Sequence, residues 1–287
     1  MKIGVIGNCQ ALLLINHINA LSPGHDVTLV SMYRSSDEAA LAALSDSLFG
    51  FDIILTQNLT DSSWGPLRTK TLSSKGLKLD IYPTVHFTGF QPDAVHVSTR
   101  LGLRTPFGPW QSSLVMAAFL RGLSRKRALA LFNAYIYSQL GFFDEYAASV
   151  EYHGRVARNL GFEMNFNAWK EEGIFTSVPH HPKPWVMKDI ALQCLAKCRI
   201  PVTDADAMPV DMMIGTPVWP VYTEICERIG VYDDMIFKGR WQKDAELQSF
   251  DLDEMISISY DAYDGRSLPS ELSQISHAVQ VIEAAVG

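Results

Sequence analysis

Two kinds of apolar run alternate through the first third of the chain. Ile3 to Ile6 is a short β-type run that stops at Gly7. Asn8, Cys9 and Gln10 follow, and from Ala11 the chain continues apolar over a helical length. The pattern predicts a strand, a tight glycine turn and a helix start, with a cysteine at the turn. The first helix should run near Ala11–Leu21 and close at Ser22-Pro23-Gly24. A second strand is expected at Val27–Met32, then a helix over Asp37–Leu48 that Ser36 and Asp37 can cap. A third strand, Asp52–Thr56, ends in Gln57-Asn58, and a fourth apolar stretch, Leu79–Tyr82, ends at Pro83. Strands spaced by helical segments imply right-handed βαβ units and a parallel sheet, whose ligands bind beyond the carboxyl ends of the strands. Cys9, Gln57-Asn58 and Pro83–His86 all fall at such ends.

From about Gly108 the pattern becomes helical. Helices are expected over Ser112–Gly122, over Arg125–Leu140 behind Ser124, within Asp144–Leu160, over Trp185–Lys197 and Val221–Ile229, and from Ser270 to Val286. Phe162–Pro184, rich in aromatic residues, His and Pro, reads as an ordered loop, and the acidic stretches Asp204–Asp211 and Asp244–Asp264 read as surface. The fold class is therefore α/β, with a short parallel sheet in the N-terminal third and a mainly helical remainder. No repeat or linker interrupts it, and a single compact domain is expected, with residues 1–107 as its α/β part and 108–287 as its helical part.

Composition narrows the class. The chain has 287 residues, 47% of them hydrophobic, enough for a sizeable core. A formal net charge of −7 argues against bulk attraction to nucleic acid or anionic membrane. No apolar run approaches the roughly 18 residues that span a bilayer, and no signal-type segment precedes the first strand, so a soluble cytoplasmic chain is expected.

The four cysteines, Cys9, Cys194, Cys198 and Cys226, form no disulfide framework. Cys194 and Cys198 share a helical face but have no further ligands at readable spacing, so no metal site is expected. Cys9 differs. At a helix N-terminus it lies near free backbone N–H groups and the positive end of the dipole, which favour thiolate and can hold an oxyanion. A nucleophilic thiol also needs a base. Of eight histidines, His17 and His25 are expected at the surface. His181, in VPHHPKPW, sits in a proline-stiffened loop, with His180 as its neighbour and His86 as a second strand-end candidate. Gln57 and Asn58 could add amide donors to an oxyanion hole, and Asp93, Glu171 or Glu172 could orient the imidazole. The run GPWQSS, with Trp110, Gln111 and Ser112, offers a flat indole and a helix start. Arg100, Arg104, Arg121, Lys126 and Lys183 could reach phosphate.

These residues resemble a family. GNCQ after the first strand, TQN at 56–58, YPTVHFTGFQPD at 82–93, GPWQSSLVMAAFLRGLS at 108–124 and FTSVPHHP at 175–182 are similar, in order, to the WcbI-like capsular polysaccharide biosynthesis proteins. The resemblance spans roughly residues 3 to 200. It departs from the family pattern at the doubled His180-His181 and at Gln111, where a histidine is expected before the serine. The resemblance implies an acetyltransferase that binds coenzyme A or acetyl-CoA and acts on a capsule sugar or polysaccharide. It maps the nucleophile to Cys9 and the histidine to His181. Cofactor contacts are then expected from Gly7, Asn8, Gln10, His86, Arg104, Trp110, Gln111 and Ser112. The N-terminal layout is also similar to the GDSL/SGNH hydrolases, with cysteine in place of serine. An esterase using water as acceptor is thus a second reading. A non-catalytic sugar- or nucleotide-binding partner in a polysaccharide assembly system is a third.

Overall fold

The computed structural model describes residues 1–31, 37–242 and 244–286. In chain order the elements begin with β1 (Lys2–Ile6), α1 (Cys9–Leu21), β2 (Asp26–Ser31), α2 (Glu38–Ser47), β3 (Ile53–Thr56), α3 (Thr69–Ser74) and β4 (Asp80–Ile81). The short strands β5 (Ala94–His96) and β6 (Trp110–Ser112) follow. Next come α4 (Ser113–Leu120), α5 (Arg125–Leu129), α6 (Ala134–Gln139), α7 (Phe142–Asn159), α8 (Phe166–Glu171), α9 (Pro184–Lys197) and α10 (Thr223–Ile229). The hairpin strands β7 (Phe237–Gly239) and β8 (Gln248–Phe250) precede α11 (Leu252–Tyr263) and α12 (Ser273–Val286). The expected ends at Met32 and Ser36 lie outside the described residues. None of the described helices is long and apolar enough to cross a membrane.

The chain forms two compact units, each discontinuous in sequence. The first comprises Met1–Val85, His153–Trp169 and His181–Met212; the second comprises His86–Tyr152, Lys170–His180 and Met213–Gly287. The first holds the α/β sheet, in the order β2-β1-β3-β4, with each pairing parallel. Placing β1 between β2 and β3 aims its carboxyl end, and hence the Gly7–Gln10 turn, out of the middle of the sheet. Its residues Ile3, Val5 and Ile6 are fully buried, which fits a strand covered on both faces.

Helix α1 buries Ala11, Leu14, Ile18 and Leu21, a 3.6-residue stripe, and it packs against α9. His17 lies on that same stripe. Contrary to the surface position expected for it, its ring is 1% exposed, with Nδ1 2.7 Å from the Leu13 carbonyl. Burial pushes its pKa below the ordinary 6.5. The unfolded chain then binds a proton that the folded one resists, so His17 lowers stability as pH falls through and below 6.5. Urea unfolding at stepped pH should show this loss, with a shallower slope in His17→Leu. Equal slopes would remove His17 as the cause.

In the second unit α4 and α12 pack together, and α11 lies against α4 and α5. Three expectations change here. The helix expected over Arg125–Leu140 is two helices, because Asn133 is extended (φ −156°, ψ 161°) and its side chain caps α6 through Tyr135 and Ile136 N–H. The expected loop Phe162–Pro184 contains α8. The stretch read as acidic surface holds α11, started by a capping box between Asp251 and Glu254, with Met255, Ile256, Ser259 and Tyr263 buried.

Candidate active site

The turn after β1 is built by amide side chains. Asn8 is the N-cap of α1, its side chain accepting from Gln10 N–H at 2.9 Å. Gln57, the first residue beyond β3, grips Asn8 from the next strand. Its Oε1 accepts from Asn8 N–H at 2.8 Å, and its Nε2 donates to Asn8 Oδ1 at 3.1 Å. Gln10 does the same for the segment after β4. Its Nε2 donates to the Val85 carbonyl at 2.6 Å, and its Oε1 accepts from Val85 N–H at 3.0 Å. Three strand ends are thus tied by two buried glutamines. Gly7 must be glycine because of close approach. A Cβ there would lie 2.5 Å from the Tyr82 hydroxyl and 2.8 Å from Gln57 Oε1. Tyr82 itself is buried and donates to the Ile6 carbonyl at 3.2 Å.

Cys9 is held at the centre of this lattice as the first residue of α1. The loop before α9 brings His181 to it, with a ring nitrogen within 4.8 Å of Cys9 Sγ. Pro179 and Pro182 flank the His180-His181 pair in sequence, and Pro184 starts α9, the helix packed on α1. The thiolate expected from the helix dipole is corrected. Burial pushes the Cys9 thiol pKa above 9.0, and the N–H groups of Cys9 and Gln10 only offset it in part. A resting thiol beside an imidazole is the arrangement in which proton transfer, not pre-ionisation, activates the sulfur.

Two comparisons with known proteins bear on this arrangement. The family model described as polysaccharide biosynthesis enzyme WcbI matches residues 2–203, which hold every residue of the turn and His181. The chain belongs to the WcbI family. A solved structure of WcbI aligns with a TM-score of 0.61 and 15% identity, covering 98% of this chain and 94% of that one. It is described as native protein without a disulfide bond between coenzyme A and one of its cysteines. At that identity the likeness carries the fold. No curated protein matches the chain. It is therefore a polysaccharide biosynthesis enzyme of the WcbI family, with an N-terminal parallel sheet and a mainly helical remainder.

Several residues expected to touch a cofactor have other work in this WcbI-family chain. The side chains of Gln10 and Gln57 are committed to the turn rather than open to a ligand or oxyanion. Trp110, Gln111 and Ser112 form β6 and are buried in the second unit. Gln111 donates to Thr105 Oγ1 at 3.2 Å and accepts from the Tyr263 hydroxyl at 3.0 Å, while Ser112 caps α4 through Val115 N–H. The α4 start is also filled by a carboxylate, since Asp93 Oδ1 accepts from Leu114 N–H and Ser113 Oγ, each at 2.8 Å. Tyr222 donates to Asp93 Oδ2 at 2.5 Å, so Asp93 is an anchor of the second unit rather than an imidazole orienter. Glu171 and Glu172 are exposed.

His180 packs on Trp110 with centroids 4.8 Å apart, and His86 and His96 lie 6.2 and 5.7 Å from it. Arg104 is exposed, and Arg121 pairs with Glu283 at 3.0 Å.

A groove that sequence reading missed opens one residue beyond the Gln57–Asn8 lock. About 630 Å³ in volume, it is lined by Asn58, Thr60, Arg68, Lys70, Thr71 and Ser73 among others. Its readable signal was PLRTKT after a strand end: two cations alternating with hydroxyl side chains.

The four thiols should differ in alkylation rate. Cys194 is 1% exposed and its pKa is pushed far up by burial. Cys198 is raised to about 11, mainly by burial and then by the Asp80 carboxylate 3.8 Å away. Cys226 is raised to about 11 and donates to the Val221 carbonyl. Cys9 alone combines partial exposure, favourable backbone N–H groups and a neighbouring imidazole, so it should label first in folded protein. Peptide mass spectrometry after brief iodoacetamide treatment checks this, and earlier labelling of Cys198 or Cys226 would contradict it.

Proposed function

We propose that this protein is a coenzyme A-dependent O-acetyltransferase acting on a sugar or polysaccharide, with Cys9 as nucleophile and His181 as its base. The observation that carries the reading is the His181 ring nitrogen within 4.8 Å of a thiol at the mouth of the parallel sheet. His181 takes the Cys9 proton as the sulfur forms a bond to the acyl carbon of the donor thioester. The donor sulfur leaves as a thiol carrying that proton, and the acetyl group rests on Cys9 as a new thioester. His181 next takes the proton of an acceptor hydroxyl, whose oxygen attacks the acetyl carbon. Sugar acetate leaves, and the proton returns to the Cys9 sulfur.

The N–H of Cys9, which has no intrahelical acceptor at the first helical position, suits the oxyanion, and Asn58 can add an amide donor. Coenzyme A supplies the activated acetyl thioester. The basic groove with Arg68 and Lys70 fits its phosphates better than Arg104 or the buried Trp110–Ser112 strand. Support also comes from the described state of the solved WcbI, which sets coenzyme A and a cysteine of that protein in one context.

The test is acetyl-CoA turnover with capsular oligosaccharide, with water alone as the control, alongside intact-mass analysis of protein quenched before acceptor is added. Acetyl on Cys9 and acceptor-dependent turnover are expected. Hydrolysis unaffected by acceptor would favour an esterase instead. Arg68→Ala with Lys70→Ala should weaken coenzyme A binding, measured by calorimetry, by about tenfold or more if both contact phosphate.

A further inference from the structure

A second groove lies wholly within the second unit. It is about 450 Å³ in volume and is lined by Gly102, Arg104, Trp241, Ile258, Asp261, Ala262, Asp264 and Arg266. We propose that it binds an acidic sugar, one bearing a carboxylate or phosphate, as a recognition subsite for the glycan. This rests on reading the acceptor as a glycan and not on the acyl chemistry.

Three features carry the assignment. Trp241 is 52% exposed at the groove, a large indole held at the surface. A pyranose ring has one apolar C–H face that can lie against such a ring, with its hydroxyls left at the edge. Arg104 and Arg266 bring two guanidinium forks, and neither has an ion-pair partner among the described residues. The Arg266 guanidinium runs over bare backbone. A Cβ on Gly102 would make ordinary contact with it at 3.5 Å, and the left-handed φ of 67° is what favours glycine there.

The two acids in the groove are unequal. Asp261 is paired with Arg125, whereas Asp264 has no ion pair among the described residues and can accept from hydroxyls. The balance is cationic, and paired forks of arginine match carboxylate or phosphate oxygens bidentately. Gly102 and Arg104 lie inside the family match, which ends at residue 203, whereas Trp241, Asp264 and Arg266 lie beyond it.

Calorimetry on the full chain tests it with four probes: a hyaluronan tetrasaccharide bearing glucuronate, neutral maltotetraose, a glucosyl phosphate, and coenzyme A. The tetrasaccharide or the glucosyl phosphate should bind more tightly than maltotetraose, and the tighter of the two names the anion. Trp241→Ala should weaken that binding by about tenfold, with partial recovery in Trp241→Phe. Arg104→Ala with Arg266→Ala should erase the preference over maltotetraose. Coenzyme A binding should be the same in all variants. Circular dichroism of each variant separates misfolding from loss of contact. Absence of heat from both anionic sugars at millimolar concentration would overturn the assignment. So would anionic-sugar binding indifferent to Trp241, or loss of coenzyme A binding in Trp241→Ala. Acetyl turnover can fail with sugar binding intact, so the two proposals fall separately.

Discussion

Acyl transfer should vanish in Cys9→Ala and fall by about 10²–10⁴-fold in His181→Ala, the range that general-base assistance typically supplies. His180→Ala, one residue away, should cost far less. Its ring is packed on Trp110, with His86 and His96 nearby. His86→Ala belongs in the same series as the alternative strand-end base. The pH profile gives a second readout. Because burial holds the Cys9 thiol pKa above 9.0, the thiolate fraction at neutral pH is small. Without His181 the residual rate should rise about tenfold per pH unit below the thiol pKa, since only preformed thiolate can react. With His181 present, the profile should flatten once the imidazole is neutral. The measurement is initial rate at saturating acetyl-CoA over a pH series. A His181→Ala enzyme near wild-type rate, or a large loss at His86 alone, would remove His181 as the base.

The largest expected effect on stability comes from Asp93→Ala. This carboxylate is fully buried and accepts from Ser113 Oγ, Leu114 N–H and the Tyr222 hydroxyl, with Ser112 contributing a further hydrogen bond. Burial raises its pKa, and those hydrogen bonds act in the opposite direction. Truncation leaves several buried donors with nothing to bind, at a cost of about 3–5 kcal/mol, as when one partner of a buried charged network is removed. Asp93→Asn keeps an acceptor and should cost markedly less. Chemical denaturation of the two variants measures the difference, and equal small losses would mean that water replaces the carboxylate.

The apolar pattern made most of the sheet legible. The run Ile3–Ile6 and its stop at Gly7 predicted β1 and α1 together, because a strand end and a glycine are local signals, although α1 begins at Cys9 rather than near Ala11, with Asn8 as its cap. The stiff loop that carries His181 was legible for a related reason, since flanking prolines mark it whatever lies around it. The roles of Gln10 and Gln57 were not. An amide side chain can face a ligand or lock a distant backbone, and only the pairing with Val85 and Asn8 decides between them. The dipole argument for a Cys9 thiolate failed on magnitude, as desolvation outweighs two N–H groups there. Other misses had readable signals. Asp251 with Glu254 is a capping box that starts α11 beneath an acidic composition, and Asn133 is a cap residue inside an apparently continuous helix. His17 falls on the apolar stripe of α1 by spacing alone.

The first unit closes late in the chain. Its last tie to α1 is the Val210 carbonyl accepting from Asn16 Nδ2 at 3.1 Å, after the Leu21 carbonyl has accepted from Thr203 N–H. During synthesis Cys9 therefore leaves the ribosome long before His181. A fragment stopped at residue 169 would carry Cys9 and all four sheet strands but neither His181 nor the α9 cover over α1. Contacts of such long sequence separation make folding slow, and they expose the apolar stripe of α1 until α9 arrives. Nascent chains should accordingly depend on chaperones through that interval, and the Cys9–His181 pair is missing from every copy that stops before residue 181.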